Sequence, residues 1–211
     1  MKKGFFIVGT DTGVGKTTVS LLLLKLFKKL GYTTAALKPI AAGAIKTKHG
    51  LRNEDALLLQ EVITTNWDYE KINPFIFEPP ISPNFAAAKA NSKLTVAKVV
   101  NACQPVLNSD ADIIVVESAG GWLVPINQQQ TMADLATAFN LPLILVVGLR
   151  LGCLNHTLLT YQAIKASGLK LAGWMANKID PEMLCVDDNI KYLKDNIDAP
   201  LLSVIPNFGN I

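Results

Sequence analysis

The segment Gly9-Thr10-Asp11-Thr12-Gly13-Val14-Gly15-Lys16-Thr17-Thr18 has the residue types and spacing of a phosphate-binding loop. It follows an apolar run, Phe5-Phe6-Ile7-Val8, and precedes a leucine-rich helical pattern. Glycines let successive backbone N–H groups turn toward one point, and the following helix aims the positive end of its dipole there. Lys16 can reach the outer phosphates of a nucleotide, and the Thr17 hydroxyl can ligate Mg²⁺. Gly13, Val14, Gly15, Lys16, Thr17 and Thr18 are therefore candidate nucleotide-binding residues. The commoner spacing has a glycine where this chain has Thr10; Gly9 stands one position earlier.

Further positions have types that could act with this loop. Lys38 follows Ala35-Ala36-Leu37 and precedes Pro39. A lysine at a strand end can hold a transferring phosphoryl group or an anionic substrate; it can also simply cap the sheet at the surface. Glu117 ends Asp112-Ile113-Ile114-Val115-Val116 and opens Ser118-Ala119-Gly120-Gly121-Trp122. An apolar strand ending in an acid has the form of a second Mg²⁺-organising position. From the residues alone, Asp55 beside Glu54 reads as a helix start, where carboxylates complement the dipole. Asn177-Lys178-Ile179-Asp180 matches the base-reading pattern of guanine nucleotide-binding proteins, because an Asn side chain both donates to and accepts from a purine edge. Asp180 before Pro181 reads equally well as a turn. Leu151-Gly152-Cys153-Leu154-Asn155-His156 opens a helix after Arg150, and its free N–H groups suit a carboxylate or an ordinary cap.

Short apolar runs place these residues. After the first run, Thr33 to Leu37, Ile113 to Val116, Leu143 to Val147, Leu171 to Ala176 and Leu202 to Ile205 read as strands. They lack polar alternation, as strands buried on both faces of a parallel sheet do. Helices are expected over Thr17 to Leu30, stopped by Gly31, and from Thr131, which forms a capping box with Asp134, to about Asn140. Two more are expected over Asn155 to Ala166 and Asp187 to Asn196. The proline-rich stretch Asn73 to Asn91 reads as a surface loop over a sheet edge. The sum is one doubly wound, mostly parallel α/β domain over residues 1–211, in which ligands bind beyond the carboxyl ends of the strands.

Composition narrows the class. Half of the 211 residues are apolar and 18% are charged, which excludes a disordered chain. The net charge of +3, without lysines interleaved with aromatics, gives no case for nucleic acid. The Leu21–Leu24 run is broken by Lys25, Lys28 and Lys29, so no membrane span is expected. Met1-Lys2-Lys3 leads straight into the first strand, so no signal peptide is expected. Cys103, Cys153 and Cys185 are odd in number and widely spaced, which fits a reducing cytoplasm. Neither His49 nor His156 pairs with an evident nucleophile, which rejects a hydrolase triad.

Taken together, the segments resemble the dethiobiotin synthetases, ATP-dependent carboxylases of biotin biosynthesis. The match runs through Gly9-Thr10-Asp11-Thr12 with Gly15-Lys16-Thr17, Lys38-Pro39, Gly50-Leu51-Arg52-Asn53 with Asp55-Ala56-Leu57, and Asn73-Pro74. It continues through Ser82-Pro83, Glu117 with Ala119-Gly120-Gly121-Trp122, Val146-Val147-Gly148 with Leu151-Gly152-Cys153 and Asn155-His156, Ala176-Asn177 and Ile205-Pro206. The loop spacing noted above is that family's own form.

The resemblance implies a reaction in which 7,8-diaminopelargonic acid takes up CO2 as a carbamate. The carbamate attacks the γ-phosphate of ATP, and the second amine then closes the ring. It implies Lys16 and Lys38 as catalytic cations, with Thr12 and Ala42 at the substrate and Thr17, Asp55 and Glu117 as Mg²⁺ ligands. The segment Glu117-Ser118-Ala119-Gly120 would line the nucleotide site, with Asn177, Lys178 and Pro206-Asn207-Phe208 at the base. It also implies a homodimer, in which Leu151, Gly152, Cys153 and Asn155 of one subunit clamp the carboxylate of the other's substrate.

Some positions depart from the family pattern. Ala42 stands for a common serine, Ser118 for a glycine and Asn84 for a histidine; the chain ends at Ile211, where many relatives continue. The rival readings are a dimerising partition-type ATPase, an amide synthase relative and a nucleotide-binding regulatory subunit. Asp11 stands where the partition ATPases carry a signature lysine, and the chain is too short for an added glutaminase domain.

Overall fold

The computed structural model describes residues 4–207. Six parallel strands form the central sheet: β1 (Gly4–Gly9), β2 (Thr34–Leu37), β7 (Ile113–Gly121), β8 (Leu143–Leu149), β9 (Leu171–Lys178) and β10 (Leu201–Ile205). Their spatial order is β10-β9-β8-β1-β7-β2, so β1 lies inside the sheet between β7 and β8. Two small pairs stand apart from it. β3 (Ile40–Ala42) runs parallel to β6 (Phe75–Phe77), and β4 (Ile45–Thr47) forms an antiparallel hairpin with β5 (Gly50–Arg52).

The strands are apolar on both faces because helices cover both. Ile7, Ala36, Val115 and Val146 meet Val19, Leu23 and Leu24 of α1 (Lys16–Lys29) and Leu59 of α2 (Glu54–Val62). The alternate residues Phe6, Val8, Val116 and Leu145 meet the other layer. That layer holds α5 (Val96–Leu107), α6 (Met132–Phe139), α7 (Cys153–Ala166) and α8 (Val186–Asn196). Two short helices, α3 (Tyr69–Ile72) and α4 (Pro83–Lys89), lie between α2 and α5 in the chain.

The expected strands and helices are present within a few residues, and the Thr131–Asp134 capping box forms as read. Two expectations need correction, and one helix was not expected. Glu117 does not end its strand: β7 runs on to Gly121, with Glu117 level with Ile7. The proline-rich stretch is not a plain loop, since β6 and α4 lie within it and Pro83 takes the first turn of α4, where a missing N–H costs nothing. Helix α5 has no counterpart among the expected elements. Thr95 caps it by accepting from the Lys98 N–H, and it carries Pro105 inside.

Candidate active site

The turn from β1 into α1 is left-handed at Gly13 and Gly15, with φ of 72° and 88°. Glycine at 15 is required on a second count. A Cβ there would come within 2.0 Å of Asn177 Nδ2. That amide, at the end of β9, donates to the Val14 carbonyl at 3.0 Å and is buried. Asn177 thus fastens the loop to the sheet and keeps its own side-chain carbonyl as an acceptor.

Lys16 is buried at the start of α1, and its Nζ donates to the Asp11 carbonyl at 2.9 Å. Asp11 is itself held at both carboxylate oxygens, by the Thr12 N–H at 2.7 Å and by the Arg150 guanidinium. Burial, helped by the positive charge of Lys38, lowers the Lys16 pKa to about 8.

Lys38 lies at the carboxyl end of β2 and is 5% exposed. Its Nζ donates to Asp55 Oδ2 at 2.8 Å and to Glu117 Oε1 at 2.5 Å. Burial alone would lower its pKa; the carboxylates of Glu117 and Asp55 outweigh burial and hold it above the ordinary lysine value. For Asp55, burial pushes upward, but Lys38 prevails and the carboxyl lies below its usual range. Thr17 donates its hydroxyl to the same Glu117 Oε1 at 2.9 Å. The other oxygen, Oε2, is buried with no hydrogen-bond partner.

Thr17, Asp55 and Glu117 are therefore a convergent set of hard oxygen donors with one carboxylate oxygen in need of a partner. This fits Mg²⁺, which takes one or two carboxylates and completes its shell with water and phosphate oxygens. Among the described residues no cluster of three or more His, Cys, Asp or Glu side chains forms a metal cage. Such a cage is not what a nucleotide-bound magnesium needs.

These residues open onto one cleft of about 650 Å³. Thr12, Gly13, Gly15, Lys16, Thr17 and Thr18 line it on one side, facing Lys38, Ala42, Asp55, Glu117, Ala119 and Gly120. Other expected residues lie apart. The Val14 side chain packs into the core beside Ile7, so only its backbone serves the loop. Ser118 is buried outside the cleft lining because alternation turns it away from the face that Glu117 occupies, and its hydroxyl has no partner. Asn177, Lys178, Pro206 and Asn207 do not line this cleft, and Phe208 lies outside the described residues.

The sequence reading left several positions without a role. Asp11 and Arg150 brace the loop although they stand 139 residues apart. Asn53 and Asn73 hold backbone around Asp55 and Lys38. For Asn53 a signal was present, because an Asn before Glu54-Asp55 is a helix cap; its side chain accepts from the Ala56 N–H.

A family model described as an AAA domain matches residues 3–211. ATP-dependent dethiobiotin synthetase of Marinobacter nauticus is 46% identical over 210 residues, covering 99% of this chain and 90% of that protein. The enzyme of Cellvibrio japonicus is 47% identical over 208 residues, with 99% and 91% covered. The chain belongs to the dethiobiotin synthetase family. Like the other dethiobiotin synthetases, it is a ligase.

Solved structures of lower similarity share the fold. The septum site-determining protein MinD of Pyrococcus horikoshii, solved with Mg-ADP, superposes with a TM-score of 0.59 at 19% identity, covering 98% of this chain and 82% of that one. The signal recognition particle receptor FtsY of Elizabethkingia anophelis gives 0.54 at 16% identity, covering 100% and 60%.

Within this dethiobiotin synthetase, Leu151, Gly152, Cys153 and Asn155 lie at the start of α7, outside the cleft of their own chain. Leu151 is 95% exposed. No helix among the described residues is long and apolar enough to cross a membrane. Cys103, Cys153 and Cys185 are free thiols, and burial pushes that of Cys103 up to about 12.

Proposed function

We propose that the protein carries out ATP- and Mg²⁺-dependent carboxylation and ring closure of 7,8-diaminopelargonic acid to dethiobiotin. The observation that carries this reading is Lys38, a buried ammonium set between two carboxylates in the cleft that Lys16 also enters. A switch ATPase has no task for such a group; a carboxylase must bring an anionic carbamate onto an anionic phosphate.

One amine of the substrate attacks CO2 and loses a proton to solvent, giving the carbamate. Lys38 pairs with the carbamate, and Thr12 orients it from the loop side. The backbone N–H groups of Gly13 to Thr18 and the Lys16 ammonium hold the β- and γ-phosphates in line. Thr17, Asp55 and Glu117 would hold Mg²⁺, which would supply neutralisation of phosphate charge. A carbamate oxygen forms a bond to the γ-phosphorus as the bond to ADP breaks, leaving a mixed carbamic–phosphoric anhydride. The second amine attacks the carbamoyl carbon, expels phosphate and closes the ring, and its proton passes to solvent. Lys16 and Lys38 offset the charge that accumulates as the two anions meet.

Asn177, through its side-chain carbonyl, accepts from the adenine amine, with Lys178 and Pro206-Asn207 around the base. The working unit is a homodimer, in which the α7 start of a second copy, Leu151 to Asn155, receives the substrate's distal carboxylate. Ala42 takes the place of a substrate-facing serine, so one hydrogen bond is absent. As a biosynthetic enzyme of this kind, it acts in the cytoplasm.

The test incubates purified protein with diaminopelargonic acid, bicarbonate, Mg²⁺ and each nucleoside triphosphate in turn, reading dethiobiotin by mass spectrometry and phosphate by colorimetry. Diamine-dependent phosphate release matched by dethiobiotin is expected, with ATP preferred. Phosphate release indifferent to the diamine would overturn the reading in favour of a switch ATPase.

A further inference from the structure

Lys38 is gripped by its backbone as well as by its side chain. Its N–H donates to the Ile72 carbonyl at 2.9 Å, and its carbonyl accepts from Asn73 Nδ2 at 2.6 Å. Both partners belong to the end of α3. Asn73 is fixed in turn: its N–H donates to the Tyr69 carbonyl at 2.8 Å, and its Oδ1 accepts from the Tyr69 hydroxyl at 3.0 Å.

The Tyr69 hydroxyl has a second partner. It accepts from the Asn53 N–H at 2.7 Å. Asn53 caps α2, and Asp55 follows two positions later, in the first turn of that helix. One phenol oxygen therefore joins the backbone that carries Lys38 to the backbone that carries Asp55. The node is dry: Tyr69 is 5%, Asn73 2% and Asn53 8% exposed. The Arg52 guanidinium lies over the Tyr69 ring, 4.2 Å from its centroid.

We infer that Tyr69 and Asn73 are positioning residues for Lys38 and Asp55, setting the ammonium and the carboxylate at their working separation. The inference rests on the proposed role of Lys38 and adds two residues that touch neither substrate nor nucleotide. In this dry node the Asn53 N–H and Asn73 Oδ1 both bond the phenol oxygen, so its removal strands the two together. Water does not replace it readily. The backbone at Lys38 and Asp55 then relaxes, and displacements below an ångström are enough to lower the rate of a positioned reaction. The phosphate loop is held separately, by Asn177 and by Asp11 with Arg150, so nucleotide binding does not depend on the node.

The experiment compares the parent enzyme with Tyr69→Phe, which keeps the ring and removes one oxygen, with Asn73→Ala, and with the double variant. Turnover is expected to fall about ten-fold or more in Tyr69→Phe, while ADP affinity by calorimetry stays within about two-fold. The double variant is expected to be no slower than the worse single one, because both break the same hold. Independently of the substrate, acylation of Lys38 by an amine-reactive reagent, read by mass spectrometry, is expected to rise about ten-fold in folded Tyr69→Phe as the side chain slips from its carboxylate partners and its neutral amine becomes accessible. Unchanged Lys38 labelling in folded Tyr69→Phe overturns the inference, as does turnover within about two-fold of the parent or a fall in turnover matched by lost ADP affinity. Failure of the parent itself to form dethiobiotin strikes the proposed function instead, and the labelling result still decides the inference. Should Asn73→Ala not fold, Tyr69→Phe alone decides it.

Discussion

The Lys38 ammonium donates to Glu117 Oε1 at 2.5 Å, joining β2 to β7 across the floor of the cleft, next to a Thr17 hydroxyl bonded to the same oxygen. Glu117 Oε2, which has no partner, remains for a divalent cation. Lys38→Met is therefore expected to lower turnover on the order of 10² to 10³-fold, the scale for losing one preorganised electrostatic partner. ADP affinity should change little, since Lys16 and the loop amides remain. Single-turnover product formation and calorimetry on the same preparation check the split.

Gly15→Ala is expected to abolish nucleotide binding while leaving a folded protein. The new methyl group meets Asn177 Nδ2 at 2.0 Å, and φ of 88° is unfavourable for any residue with a Cβ. Gly13→Ala provides the contrast. Its φ is also positive, but nothing lies within 4 Å of the added carbon, so a smaller loss of affinity is expected. Titration with a fluorescent ATP analogue distinguishes the two.

Arg150→Ala and Asp11→Asn each remove the brace on the carbonyl that receives Lys16. Their side chains are 41% and 42% exposed, so the ion pair is partly screened. A roughly three- to ten-fold loss of ATP affinity is expected at low salt, shrinking as ionic strength rises. A full-strength effect at high salt would contradict this account.

Lys16, with a pKa of about 8 in the free protein, is expected to take up a proton when polyphosphate binds. At pH 8 this amounts to about half a proton per nucleotide, measurable by calorimetry in buffers of different ionisation heat. Affinity should weaken as pH rises above 8. The folding contribution of this group runs the other way. Between pH 8 and the ordinary value of 10.5 the unfolded chain holds a proton that the folded one lacks, so rising pH favours the folded state through that window.

If the α7 start serves the neighbouring subunit, two damaged chains should repair each other. Lys38→Ala spoils the chain's own cleft, and Gly152→Glu spoils the clamp, where Gly152 is left-handed with φ of 92°. Equal mixing after subunit exchange should return about a quarter of parent activity, since half the dimers are mixed and each of those has one intact site. Absence of any recovery would favour a site completed within one chain.

The phosphate loop, the strands of the sheet and the acid at Glu117 were legible because each is written locally, as glycine spacing or as an apolar run. Helix α5 was missed although its buried residues Val96, Val99, Cys103 and Val106 keep a helical period. Pro105 reads as a breaker, yet near the end of α5 it is tolerated. The proline-rich segment hid β6 and α4 for a similar reason. Ser118 was placed at the nucleotide by its neighbour, but strand alternation sends adjacent side chains to opposite faces. The Tyr69 node and the Asp11–Arg150 pair had no local signature, since each joins segments that meet only when the sheet is assembled.

That assembly has a temporal consequence. β1 is made well before its two sheet neighbours, which begin at Ile113 and Leu143. At roughly 5–20 residues per second, the strand waits several seconds or more for its flanks during synthesis. A nascent chain thus carries its glycine loop long before that loop can take shape. Tight retention of ATP marks a chain whose translation has passed β8, and shorter fragments should pass through an ATP-agarose column unretained.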